Sequence, residues 1–147
     1  MSLKNRLEQD IKTAMLAGDK DRTTILKGLK TAVQYAEVAG RPSGQAMSDD
    51  DVTQLLAKEA KKRQDSADLY RQGGSPVRAE AEEREKVIIM TYLPTQLSEA
   101  DVQVIVLEVI AGMVNPQIGQ VIGAVKAKAG VGADGAMIAR LVKAVIN

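Results

Sequence analysis

The chain has 147 residues with 20 basic against 19 acidic side chains, so no bulk field draws it to nucleic acid or an anionic membrane, and any such partner must be met by a local patch. It contains no Cys and no His, which removes disulfides, thiolate nucleophiles, zinc–thiolate sites and the commonest general base and metal ligand. Its aromatics are three Tyr with no Phe or Trp, too few for a base-stacking surface.

Leu3, Leu7, Ile11, Ala14 and Met15 recur at helical spacing behind Ser2, and Gly18 ends the run. From Asp19 onward Ile25, Leu29, Ala32, Val33 and Ala36 make a second stripe that stops at Gly40, with Lys20, Lys27 and Lys30 on the outward face. Gly, Pro and Ser mark residues 40–47 as a loop. Ser48 with Asp51 then opens a long third helix that reaches about Gln72. Its apolar face of Val52, Leu55, Leu56, Ala60, Ala67 and Tyr70 also carries Glu59 and Arg63, a charge pair that wants explaining. Gly73-Gly74 break the chain, and Ser75 with Pro76 at the first helical position starts a fourth helix. Its end, from Val87 to Leu93, is apolar on nearly every side, which predicts burial all round, and Pro94 stops it.

Ser98 followed by Asp101 reads as the cap of a fifth helix carrying Val102, Ile105, Val106, Val109 and Ile110. Asn115-Pro116 reads as the cap of a sixth with Ile118, Val121, Ile122 and Val125, and Asp134 as the cap of a seventh with Ile138, Leu141, Val142, Val145 and Ile146. No segment alternates with strand period. The fold class is therefore all-α. An N-terminal body of about four longer helices (residues 1–93) is joined by a hinge at Pro94 to a C-terminal three-helix bundle (residues 94–147). No uncharged run is long and apolar enough to span a bilayer, and the first residues alternate charge with apolar side chains instead of forming a signal core. A cytoplasmic protein with no membrane partner is the default expectation.

Several groupings could carry chemistry. Gly130-Val131-Gly132-Ala133-Asp134-Gly135 matches G-x-G-x-x-G literally, but the dinucleotide fingerprint needs a strand before it and a βαβ unit around it, whereas here a helix precedes. A helix C-cap followed by a capped turn is the simpler account, although the amides at the start of helix seven could hold a phosphate. Gly119 and Gly123 lie four apart with Lys126 beside them. Such a pair commonly lets two helices approach; the other reading is a smooth face that admits a nucleic-acid backbone, with Lys126 on a phosphate. Lys128 lies on the other edge of that helix, and Arg140 and Lys143 on helix seven could extend either edge. The candidate nucleic-acid-binding set is thus Lys126, Lys128, Gly119, Gly123, Gly135, Arg140 and Lys143.

The carboxylates Asp49, Asp50 and Asp51 occupy a helix's first turn, where they complement the macrodipole, so no metal site is expected. Lys58, Lys61, Lys62, Asp65 and Asp68 read as a solvated, self-paired outer face. Arg22, Glu59 and Arg63 lie on inward stripes and are expected to form a partly buried structural ionic cluster, a device for register more than for stability. No nucleophile with an adjacent base is evident, so no catalytic residue is assigned.

Together these residues resemble the YqeY-like family, itself similar to the tail domain of the B subunit of the glutamine-dependent aminoacyl-tRNA amidotransferase. The resemblance rests on Asp10, Lys12, Ala14 and Met15, on Asp19-Lys20-Asp21-Arg22, and on the run from Lys58 to Ser66. It continues through Tyr92-Leu93-Pro94-Thr95-Gln96-Leu97-Ser98, Gly119-Gln120-Val121-Ile122-Gly123 and Ala133-Asp134-Gly135. It implies a two-part helical fold and a non-catalytic domain that binds tRNA or serves a tRNA-modifying enzyme, with no cofactor and no DNA partner. If the chain took part in catalysis, the resemblance implies an accessory role in a carbon–nitrogen ligase with glutamine as amide donor. A helical protein-interaction module is the alternative from another class. Two positions depart from the family pattern: Gly132 stands where a basic residue tends to precede Ala-Asp-Gly, and Asn115-Pro116-Gln117 lacks the basic residue often found ahead of the glycine pair.

Overall fold

The computed structural model describes residues 1–40 and 45–146, and everything regular in it is helical. The elements are α1 (Leu3–Leu16), α2 (Lys20–Gly40), α3 (Asp49–Gln72), α4 (Pro76–Met90), α5 (Glu99–Ala111), α6 (Ile118–Ala129), a short 3-10 turn (Gly130–Gly132) and α7 (Gly135–Ile146). Residues 41–44, half of the expected loop, lie outside the described residues, and residues 45–48 are irregular. The chain's packing divides into two compact units, Met1–Leu93 and Pro94–Asn147.

Local chemistry explains most boundaries. Ser2 accepts the Asn5 amide at 3.1 Å, and Asp19 accepts the Arg22 amide at 3.0 Å, each satisfying a donor that the first turn of a helix leaves over. Ser48 with Asp51 and Ser98 with Asp101 form full capping boxes. Gly18 and Gly74, which follow α1 and α3, have φ of +70° and +77°, where a Cβ would be strained. Two caps differ from the sequence reading. Ser75 makes no side-chain bond, so α4 begins on Pro76 alone. The N-cap of α6 is Gln117, because Asn115 takes a left-handed turn at φ +53°, a conformation that Asn tolerates better than most residues.

In the first unit Leu7, Ile11, Leu26, Leu29, Val33, Val52, Leu56, Ile89 and Tyr92 form one core. Leu26, at 0% exposure, takes the central place that the periodic reading gave to its half-buried neighbour Ile25. The expectation of burial all round at the end of α4 is corrected: Val87 is 66% exposed while Ile89 is 2% exposed. The reason is geometric, since α4 packs chiefly along α3 and buries one side only. Ala67 and Ala79, both fully buried, keep α3 and α4 close. Across that pair Arg63 donates to Glu82 at 3.0 Å and Glu85 at 3.5 Å, Lys86 donates to Gln64 at 2.9 Å, and Arg71 grips Glu83 with both arms of its fork.

These pairings revise the expected cluster of Arg22, Glu59 and Arg63. Arg63 turns to α4, and Glu59 takes Lys62 at 3.1 Å on its own helix. The charge of Arg22 is felt at the Tyr92 phenol. Spacing along one helix reports which residues share a face but not which carboxylates a neighbouring helix supplies. Glu59, Arg63 and Glu85 do share a groove with Thr24, Gly28 and Leu29 of α2.

Where α4 ends, Arg6 lies 4.5 Å from the centre of the Tyr92 ring and donates to the Thr91 carbonyl at 3.0 Å, while the Tyr92 hydroxyl donates to Asp10. Burial first, and then the hydrogen bond to Asp10, push the Tyr92 phenol well above its ordinary pKa.

The second unit packs α5, α6 and α7 around Val102, Val106, Val109, Val121, Val125, Ile138, Leu141 and Val142. After Pro94 the chain is tied to the turn between α6 and α7: the Leu97 amide donates to the Gly132 carbonyl at 2.7 Å, and the Gln96 amide group donates to the Val131 carbonyl at 3.4 Å. Gly132 is buried there, and a Cβ on it would sit 3.3 Å from Leu97 Cγ. That closeness gives a local reason for glycine at this position.

Candidate nucleic-acid interface

The four cations of the second unit all stand on α6 and α7, which carry no acidic residue, whereas α5 carries Glu99, Asp101 and Glu108 and no cation. The unit is therefore near neutral overall but divided by sign. None of the three Tyr falls within it, so an RNA bound here would be read through backbone and shape and not through stacking.

Along α6, residues 119, 123 and 126 recur at helical spacing, and all three are exposed. A Cβ on Gly119 or on Gly123 would meet nothing within 4 Å. No helix approaches there, so the packing account of this glycine pair fails among the described residues and an open, smooth strip remains. That strip is costly, because a glycine inside a helix loses about 0.5–1 kcal/mol relative to alanine and gains nothing here from close packing.

Gly130, at φ +59°, ends α6 and lets the 3-10 turn bring α7 back beside it. As a result Lys126 reaches the start of α7: a Cβ built on Gly135 would lie 3.4 Å from its Cε and 3.5 Å from its Nζ. An ammonium held over a helix N-terminus adds positive charge to the positive end of the macrodipole, an arrangement that an anion relieves. Asp134 directly precedes this end, and its carbonyl accepts the Ile138 amide at 3.1 Å, so one carboxylate already stands near it.

The structure thus brings Lys126 and Gly135 together and sets Gly119 and Gly123 on the same exposed face. Arg140 is drawn elsewhere, donating to Glu99 at 3.0 Å. The hydrogen bond from Arg140 holds the Glu99 carboxyl below the ordinary carboxylate range and raises the guanidinium in turn. Lys128 and Lys143 are exposed near the ends of α6 and α7, where basic residues favour the macrodipole in any case. In the G-x-G-x-x-G stretch a helix and not a strand precedes Gly130, so the setting of a dinucleotide fingerprint is missing. Of the acidic run, Asp49 accepts the Leu3 amide at 3.0 Å and Asp51 belongs to the capping box of α3. Among the described residues no group of His, Cys, Asp and Glu is arranged to hold a metal, and no helix is long and apolar enough to cross a membrane.

Fold and site define a class first: an all-helical protein whose small terminal unit of three helices presents a glycine-smoothed strip beside a lysine and a helix start. The chain belongs to the family described as Yqey-like protein, whose model matches residues 4–146. A comparison with curated proteins gives no match.

Proposed function

We propose that this protein is a non-catalytic RNA-gripping domain that binds folded RNA of the tRNA kind through its phosphate backbone, using the strip of Gly119, Gly123 and Lys126 with the start of α7. The observation that carries this reading is the open glycine pair. Two helix-weakening residues stand in solvent with no packing role, on the helix whose Lys126 lies beside the start of α7. A backbone approaching that strip meets no Cβ at Gly119 or Gly123, and Lys126 stands about one turn further on, which suits a phosphate better than a base. Family membership supports the same reading through the likeness of YqeY-like proteins to the amidotransferase tail.

Titration of the full chain with bulk tRNA at several salt concentrations tests this. Two or three phosphate contacts give a slope of roughly −2 to −3 in log K against log salt. Lys126→Glu abolishes binding at low salt and leaves the circular dichroism unchanged, because the side chain is exposed. Absence of tRNA binding by the wild type at low salt, or undiminished binding by Lys126→Glu, sinks the proposal.

A further inference from the structure

One helix of the second unit has two apolar faces. Val102, Val106 and Val109 of α5 are buried in the core. Ala100, Val104, Leu107 and Ala111 lie on the opposite side, within an arc of roughly 60° at 3.6 residues per turn. All four are exposed, Val104 at 55% and Leu107 at 50%. Scattered exposed aliphatics need no account, but a continuous stripe opposite the core does. Val104 sharpens the point, since a β-branched residue is a poor helix former and here receives little burial in return.

The borders of the stripe decide what can cover it. Glu99 is already held by Arg140, but Asp101 and Glu108 flank one side of the stripe with no cation on the helix. A second copy laid on this face would set those carboxylates against their own counterparts, and RNA or an anionic membrane carries the same sign as the borders. Complementarity is left to a surface that is apolar along its centre and basic at its edges. We infer that the outer face of α5 docks a basic amphipathic helix of a partner protein, with Val104 and Leu107 as its apolar seat and Glu108 as a charge guide. This surface is separate from the strip on α6, and either assignment can fail without the other.

The test uses the full chain and a synthetic amphipathic peptide with leucines on one face and lysines on both flanks, followed by amide chemical shifts. The expected result is perturbation centred on residues 100–111, with an affinity at least about tenfold above that of the same peptide flanked by glutamates. Val104→Lys combined with Leu107→Lys should remove binding without loss of helicity, since both side chains are exposed. Should that pair unfold the unit, Glu108→Lys decides instead, and unchanged affinity for the lysine-flanked peptide overturns the inference. It is equally overturned if both peptides bind alike, if neither binds at millimolar concentration, or if the wild type forms a dimer that the double substitution dissolves.

Discussion

The two units solve the problem of charge in opposite ways. In the first, cations and carboxylates answer one another across helices: Lys4 with Glu37, Lys30 with Glu8, Arg63 with Glu82 and Glu85, Arg71 with Glu83. In the second, Arg140 reaches across to Glu99, but the charges on the helices are sorted by sign, carboxylates on α5 and cations on α6 and α7. Charges that neutralise one another within a fold fix register and leave little field outside, whereas sorted charges leave a field that a partner can use. The contrast marks Met1–Leu93 as the unit whose helices are tied to one another by charge, and Pro94–Asn147 as the one whose helices carry charge of one sign each.

The contrast can be broken most forcefully in the core of the second unit. With so few polar ties there, Ile138→Ala, at a fully buried site, should cost about 2–5 kcal/mol and collapse amide protection throughout α5, α6 and α7. A change confined to fraying of α7 would mean that the unit holds together by other means. In the first unit Arg63→Ala should cost about 1–3 kcal/mol, less than a fully buried pair because the arginine side chain keeps 27% of its exposure. Denaturant titration measures it, and no loss would show that Glu82 and Glu85 find other partners.

Smaller effects sharpen the same comparison. Tyr92→Phe should cost about 1 kcal/mol at neutral pH for its hydrogen bond to Asp10. It should also remove an alkaline dependence. The folded pKa of the phenol is raised above the unfolded value of 10.0, so its contribution is complete below about pH 10 and is lost as pH rises towards the folded value. Wild type should therefore lose stability above pH 10 more steeply than the variant. The mildest test is the most discriminating: Gly28→Ala in α2 and Gly123→Ala in α6, both in open surroundings, should each add about 0.5–1 kcal/mol. Only Gly123→Ala should weaken tRNA binding, and equal effects of the two on RNA would separate the glycine strip from function.

How much of this was legible beforehand depends on the range of each signal. Caps such as Ser48 with Asp51 are set by neighbours in sequence, and stripes such as Leu7, Ile11 and Ala14 by one helix's own period; both came through. What failed required knowing which helix lies opposite. Val87 looked buried because its surroundings in sequence are apolar, yet α4 offers only one side to α3. Along its own helix Arg63 has Glu59 four residues away, while its partners stand 19 and 22 residues away on α4. The glycine pair was visible as a pair, but its openness was not, because spacing cannot say whether a neighbour fills the strip. Nor could it place Lys126 against Gly135, which depends on the turn that Gly130 permits.

The interior of the second unit has a thermodynamic consequence of its own. Six of the eight buried hydrophobic side chains of its core are valines, and an isoleucine is a seventh. Branched at Cβ, these side chains are nearly confined to one rotamer once helical, so they have little further freedom to surrender on burial. A small unit with a modest interior gains most from that economy. The same stiffness leaves few soft modes through which α5, α6 and α7 could adapt to a visitor, so recognition should proceed by fit to a surface already set, with little ordering on association.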